Sequence, residues 1–490
     1  MSAELQNTEK CGVIATIGHD ISPEYFIAGW RRLKNRGADA WGLITVLKAR
    51  MKVEYATKCE GVENAKINSS VRLGHNRYAT SGGGSFQNAQ PFLVQSGTFT
   101  LGLAHNGNIP AQIITHLRTL LLEPVPVDAS DSYIMAKFLL ESRALYKTWN
   151  DTFIAVLPLF RGAFSLACVT DEDVLYAIRD KWGIRPLCVG KKADTWIVAS
   201  ESIAIDAMGA TYQREVKPGE IIRLKAGAQS SSSMYAKSKG EHFCTLESIY
   251  FANNKSIRKG RTIESARRAL GRAVARRFLS KRIAIDLVVP VLNSGKQMSM
   301  GVSEVLQMDN IEAIRLSTQE RSFIQNTPEA RKRLVYAKHV VDGAIIDGKR
   351  LLLCDDSLVR GTSLGSLLEK IKEHGPREIH IVLSSEPVID ICDLGIDLPT
   401  REELLAYQVN QDRPDFADEP AYFSWLKEIE NLVAKRLGVD SITYLDRMSV
   451  NLALHRQENQ MCRHCFGGTY PIKDYQGLTR TLPSARLHSL

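Results

Sequence analysis

The chain has 490 residues, 44% hydrophobic and 24% charged, the balance of a globular protein with about two to four domain cores. Its 63 Lys and Arg exceed 54 Asp and Glu, but they are scattered, as in Lys34-Asn35-Arg36 and Arg267-Arg268. That pattern reads as solvated surface, or as attraction for a phosphate-rich small substrate, and shows no nucleic-acid motif. No apolar run approaches the roughly 18–20 residues that span a bilayer, and the N-terminus lacks the apolar core of a secretory signal, which predicts a cytoplasmic protein. Nine cysteines at irregular spacing do not suggest a disulfide framework in a chain of this size.

Residues 1–10 form a polar leader that ends at Cys11-Gly12-Val13. A cysteine freed by removal of that leader carries a nucleophilic thiol and a general base, its own α-amine, on one residue. Such an amine titrates near ~7.7–8.0 and accepts a proton at neutral pH. Residues 11 to about 235 then run in short β-type segments with glycine punctuation, such as 101–104, 164–169 and 196–200. Polar segments at 36–39, 74–82, 104–108 and 130–132 follow Cys11 in order, and the last three suit hydrolysis of glutamine to glutamate and ammonia. Arg77 can grip the substrate α-carboxylate in a bidentate fork, and Asp131 can hold the α-ammonium. The Asn106 amide and the Gly107 backbone N–H can stabilise the oxyanion of a tetrahedral intermediate.

Cys11 with these segments resembles the class II glutamine amidotransferases, the N-terminal-nucleophile hydrolases. Segments 179–187 and 198–202, with Lys217-Pro218-Gly219-Glu220, narrow the resemblance to the glutaminase half of the amidophosphoribosyltransferase family. The resemblance implies an α+β N-terminal-nucleophile hydrolase domain of four αββα layers, followed by an α/β type I phosphoribosyltransferase domain. It also places Thr80 with Arg77 and Asp131 in the glutamine-binding set.

Residues 227–239, rich in Ser, Gly and Lys, read as a connecting loop. Beyond them the period changes. Ile263, Ala266, Leu270, Val274 and Phe278 predict an amphipathic helix over about 260–280. Segments 287–292 and 350–354 read as buried strands, each followed by a loop and a helix, with 364–372 the second helix and 379–383 the next strand. Strand, helix, strand in this order predicts a parallel α/β domain. Segment 414–420, bounded by prolines, interrupts a later helical region and reads as a surface insertion.

In 351–363 an apolar strand delivers Asp355 and Asp356, and a small-residue loop then opens a helix. Such a loop sets backbone N–H groups and hydroxyls around a phosphate, and the two acids can hold ribose hydroxyls or a Mg²⁺ on them. The string resembles the phosphoribosylpyrophosphate (PRPP) motif of type I phosphoribosyltransferases. That resemblance adds Ser357, Arg360, Gly361, Thr362 and Ser363 to the PRPP-binding set. It puts Ser294 at a Mg²⁺ site with Asp355 and Asp356. It also makes Arg321, Arg331 and Lys338 part of a segment that closes over pyrophosphate. Cations there would stabilise the leaving pyrophosphate as the C1–O bond breaks, and ammonia then attacks C1.

Cys462-x-x-Cys465, taken alone, leaves redox chemistry, zinc and iron–sulfur ligation open. A subset of the family with a cleaved leader carries a [4Fe–4S] cluster, and its ligands resemble Cys244, Cys392, Cys462 and Cys465. Cys59, Cys168, Cys188 and Cys354 read as buried structural residues, and His464 as a neighbour of the ligands. The chain departs from the family pattern at Ala38, Asn293, Asn253-Asn254 and 315–320, where a cation and an aromatic of the ammonia path are absent. Glu320 sets a negative charge beside an anionic substrate, which predicts looser coupling between the two sites.

The resulting expectation is transfer of glutamine-derived ammonia to C1 of PRPP, giving 5-phosphoribosylamine, glutamate and pyrophosphate, the first step of purine synthesis. The alternatives are a paralogue with a live glutaminase but an altered acceptor or poor coupling, and a non-catalytic nucleotide sensor. The family implies inhibition by AMP and GMP and a homotetramer. The expected divisions are 1–10 as a cleaved propeptide, 11–235 as the amidotransferase, 236–471 as the phosphoribosyltransferase with the cysteine ligands, and 472–490 as a tail.

Overall fold

The computed structural model describes residues 11–37, 40–47, 50–56, 67, 69–77, 88–238, 240–316, 339–396, 398 and 400–472. Two antiparallel sheets occupy the first half. One runs Thr211–Glu215, Cys188–Lys192, Thr195–Ala199, Cys11–Ile17, Val71–Arg77, Ala40–Leu47, Arg50–Ala56. The other runs Ser231–Met234, Glu220–Leu224, Val174–Arg179, Ala163–Thr170, Phe99–Asn108, Phe92–Ser96.

Alternation of side chains along each strand divides the apolar residues into layers. Val13, Ala15, Leu73, Ala104, Ala167 and Val198 fill the space between the sheets. Ile14, Ile197 and Ala199 instead meet Phe26 and Trp30 of the helix Pro23–Arg31 and Ile205 of Ser202–Ala207. On the far side, Leu101, Leu103, Leu166 and Ile178 pack on the helices Ala111–Leu120, Asp131–Arg143 and Trp149–Val156. These are the four αββα layers. Residues 227–239 are not all loop, since Ser231–Met234 pairs with Glu220–Leu224 as an edge strand. This strand is exposed along nearly its whole length, with no face in the core to require apolar alternation, so its serines gave no strand signal.

The second half holds a parallel sheet in the order Leu287–Pro290, Arg350–Asp355, Glu378–Leu383, Ser441–Tyr444. Leu351, Leu353 and Ile381 face one apolar layer, and Leu352, Cys354 and Val382 face the other. The helix Ile263–Leu279 buries Ile263, Ala266, Leu270, Val274 and Phe278, the stripe that predicted it. Segment 414–420 leads into the helix Glu419–Leu437, where Pro420 fits in the first turn because it needs no hydrogen-bonded N–H there. No helix among the described residues is long and apolar enough to cross a membrane.

Candidate active sites

Cys11 opens the first strand and is register partner of Arg77, the last residue of Val71–Arg77. Counting by twos from Val13, Leu73 and Ala104 puts Cys11, Arg77 and Asn106 on the faces that meet between the sheets, at one end of the sandwich. Asn106 is fully buried. Its Oδ1 accepts a hydrogen bond from Arg185 Nη2 at 3.4 Å, while Nδ2 has no partner among the described residues. A buried amide held by its oxygen, with its N–H₂ unspent, is poised to donate to an incoming oxyanion.

Next to Asn106, Gly107 has φ +151°, and a Cβ there would lie 1.9 Å from Ala163 O. Only glycine fits so close an approach. Asp131 begins the helix Asp131–Arg143, whose N-cap Ser130 accepts from Tyr133 N. Its Oδ2 accepts from Ile109 N at 3.0 Å, and its Oδ1 accepts from Ser132 N at 2.6 Å. His105 and His75 brace this floor. His105 Nδ1 lies 2.8 Å from Ser132 Oγ, and His75 Nε2 lies 3.0 Å from His105 O. Burial depresses both imidazoles, His75 to about 3, so both stay neutral at physiological pH.

The second site lies at the carboxyl end of the parallel sheet, where α/β folds place their ligands. Arg350–Asp355 ends in the acid pair. Ser294 Oγ donates to Asp355 Oδ1 at 2.6 Å, and Ser357 Oγ donates to Asp356 Oδ1 at 2.8 Å. Burial, and for Asp356 the charge of Asp355, raise the carboxyl pKa values, a cost that a bound cation would relieve. Gly361 caps the helix Thr362–Lys372 at φ +75°, where a Cβ would meet Leu405 Cδ2 at 2.7 Å. Arg360 is partly exposed and pairs with Glu403 at 3.3 Å. Ser294, Asp355, Asp356, Ser357, Arg360, Gly361 and Thr362 therefore gather around one loop. Arg315 lies on Ile314–Leu316, which pairs with His339–Val341. Thr80, Arg321, Arg331, Lys338 and the Ser363 side chain lie outside the described residues, as do the leader, Ala38, Cys59, residues 317–320 and 473–490.

Cys244, Cys392, Cys462 and Cys465 come from distant parts of the chain. Cys244 and Cys462 are register partners in a two-strand parallel ladder. Burial raises all four thiol pKa values; Cys465 also feels the charge of Cys244, Cys392 and Cys462, and Cys462 that of Cys244 and Cys392. None is in a disulfide. Among the described residues no three His, Cys, Asp or Glu side chains form a group able to hold one metal ion. His464 stacks on Tyr470 with centroids 3.8 Å apart and lies 3.5 Å from Asp390.

Residues 75–207 match the glutamine amidotransferase domain family, and residues 261–387 match the phosphoribosyl transferase domain family. The amidophosphoribosyltransferase of Mycobacterium tuberculosis is 31% identical over 482 residues, covering 95% of this chain and 87% of that protein. The chain belongs to the amidophosphoribosyltransferase family. The amidophosphoribosyltransferase of Bacillus subtilis is 29% identical, with 97% of each chain covered. The solved glutamine PRPP amidotransferase from B. subtilis, complexed with ADP and GMP, matches with a TM-score of 0.82 at 28% identity, covering 95% of this chain and 98% of that one. As an amidophosphoribosyltransferase, the chain is a glutamine amidotransferase and glycosyltransferase of purine synthesis, and the paralogue and sensor alternatives are not favoured.

Sequence reasoning missed the ion network between the two halves of this amidophosphoribosyltransferase. Arg36 pairs with Glu201 at 2.5 Å and with Glu247 at 2.6 Å, and Arg185 pairs with Glu247 at 3.0 Å. Burial alone would raise Glu247, but Arg36 and Arg185 hold it at about 2. Arg267, like Arg36, is a correction. It is not solvated surface but buried, donating to Ser248 O, Asn254 Oδ1 and Ala252 O, with Asp356 as its leading charge partner. Its place four residues after Ile263, on the buried stripe, was the available signal. Asn253 and Asn254, where the family has Arg-Pro, serve this network: Asn253 N donates to Glu201 Oε2, and Asn254 accepts from Arg267. Arg268 is half-exposed and pairs with Glu304.

Proposed function

We propose that the two reactions divide between two sites, with Cys11 as the glutaminase nucleophile once residues 1–10 are removed. Its freed α-amine takes the thiol proton as sulfur attacks the glutamine amide carbon. Asn106 Nδ2 and the Gly107 N–H hold the resulting oxyanion. Arg77, Thr80 and Asp131 hold the α-carboxylate and α-ammonium. Collapse, with that proton passed on to the amide nitrogen, expels ammonia and leaves a thioester that water hydrolyses to glutamate, freeing the thiol. At the second site Asp355, Asp356, Ser357, Arg360, Gly361, Thr362 and Ser363 hold PRPP, and Arg321, Arg331 and Lys338 meet its pyrophosphate. Ammonia displaces pyrophosphate from C1. Mg²⁺, held by Ser294, Asp355 and Asp356, would offset the charge of the leaving group.

The observation that carries the glutaminase reading is the buried Asn106 amide with its spare N–H₂, on the face shared with Cys11 and Arg77. Asn106→Ala should lower glutamine-dependent kcat by about 10²–10³ while ammonia-dependent synthesis persists. The reading as a whole is tested by measuring glutamate and pyrophosphate in parallel. Looser coupling predicts excess glutamate, and glutamate formed without PRPP. Equal yields and negligible glutamate in the absence of PRPP would discard the looser coupling and keep the enzyme reading. No pyrophosphate with either nitrogen donor would discard both.

The [4Fe–4S] cluster is proposed on Cys244, Cys392, Cys462 and Cys465. Anaerobic protein should hold about four irons per chain, and Cys462→Ser should lower soluble yield before activity, because ligation energy is partly folding energy. One zinc per chain without iron would contradict this. Intact mass of active protein should begin at Cys11. AMP and GMP are proposed inhibitors, since a relative was solved with ADP and GMP. A cleft of roughly 310 Å³ lined by Arg360, Thr362, Glu403, Gln408 and Arg436 adjoins the phosphate loop. A homotetramer in the cytoplasm completes the proposal.

A further inference from the structure

The strand that carries Asn106 and Gly107 is held from outside its own domain. Gly395 has φ +97°, and a Cβ there would lie 2.7 Å from Gly107 C and 3.0 Å from Gly107 Cα and O. One residue on, Asn108 Nδ2 donates to Asp393 O at 2.7 Å. The turn is itself fixed, since Asp393 N donates to Tyr470 Oη at 2.7 Å and Leu394 is buried in the core shared with Ala163 and Ile184. On the Asn106 side chain, Arg185 is anchored by Glu247 at 3.0 Å. The backbone and the amide of the oxyanion segment are therefore each set by a contact reaching the second half of the chain.

We propose that the Asp393–Leu394–Gly395 turn is a positioning element of the glutaminase: it sets the Asn106–Gly107 backbone so that both donors meet the oxyanion. The proposal rests on the reading of Asn106 and Gly107 as oxyanion donors. No Cβ fits at residue 395 without moving backbone, because its three nearest atoms all belong to Gly107. The left-handed φ adds strain for any other residue. A displacement of the donors by about 1 Å can cost on the order of 10²-fold in a transition state while leaving ground-state contacts almost unchanged.

The test uses the full-length enzyme with its metal content intact and compares two ligands. Glutamate γ-semialdehyde adds to the thiol and forms a tetrahedral oxyanion, whereas glutamate makes only ground-state contacts. Gly395→Ala should weaken aldehyde binding by about 30- to 300-fold and lower glutamine kcat to match. Glutamate affinity, KM for glutamine, ammonia-dependent synthesis and iron per chain should stay within about threefold of wild type, as expected of a purely positional defect. If Gly395→Ala does not fold, Asn108→Ala removes the tether without backbone strain and should show the same split at smaller size. Unchanged aldehyde affinity in whichever variant folds, or equal loss for aldehyde and glutamate, overturns the proposal. The underlying reading fails separately if Asn106→Ala keeps wild-type aldehyde affinity.

Discussion

Cys11→Ala should lower glutamine-dependent synthesis by roughly 10⁴-fold or more and leave ammonia-dependent synthesis near wild type. A lost nucleophile cannot be replaced by the oxyanion donors alone, which supply only the residual part of such a rate enhancement. The transferase site is spared because the acid pair and its loop belong to the parallel sheet, whereas Cys11 belongs to the sandwich. The substitution also removes little volume at a strand end, so folding should survive. Phosphoribosylamine formation should be followed with glutamine and with ammonium at fixed PRPP. Loss of both activities would show that Cys11 holds structure, and retention of both would remove it from the mechanism.

Asp356→Asn should act in the opposite sense on function and on stability. PRPP use should fall by at least about 100-fold with either nitrogen donor, since the ribose and cation contacts proposed for this site would serve both. Stability should rise. Burial first, and then the Asp355 charge, raise the folded-state pKa of Asp356 above its unfolded value near ~3.9. A carboxyl raised in this way costs stability wherever it is ionised in the unfolded chain, and the cost grows as pH rises through the interval between the two pKa values. The amide removes that cost, so Tm should increase at pH 8 and change little near pH 3, where both states are mostly protonated. For domains of about 150–250 residues, each kcal/mol corresponds to roughly 2–4 °C. Arg267 keeps its three hydrogen bonds to Ser248, Asn254 and Ala252, so it is not stranded. Thermal melts at the two pH values and an ammonia-dependent assay decide the matter, and a lower Tm at pH 8 would show that Asp356 is a net structural asset.

What could be read from the sequence was local or came as a contiguous string. The stripe from Ile263 to Phe278 gave its helix, and the apolar run ending at Asp355 gave a strand with the acid pair at its end. The polar face at Cys11, Arg77 and Asn106 was legible as chemistry but not as geometry, because the cleft depends on two sheets meeting. Charge misled where burial decides. Arg267 looked like surface, and the Arg36–Glu247 pair, 211 residues apart, leaves no trace in any window. Ser231–Met234 was lost because a strand with no face in the core carries no apolar alternation. The cysteines illustrate the difference between recognition and derivation. Nothing in their spacing predicted that Cys244 and Cys462 would sit side by side.

The pairing of Cys11 with Arg77 also sets which changes near the N-terminus the chain can tolerate. Val13, Ala15 and Ile17 anchor the strand in the core, so the thiol's direction is counted backward from them, two residues at a time. One residue inserted between Cys11 and Val13 would turn the sulfur toward the Phe26 and Trp30 layer, away from Arg77, with the core undisturbed.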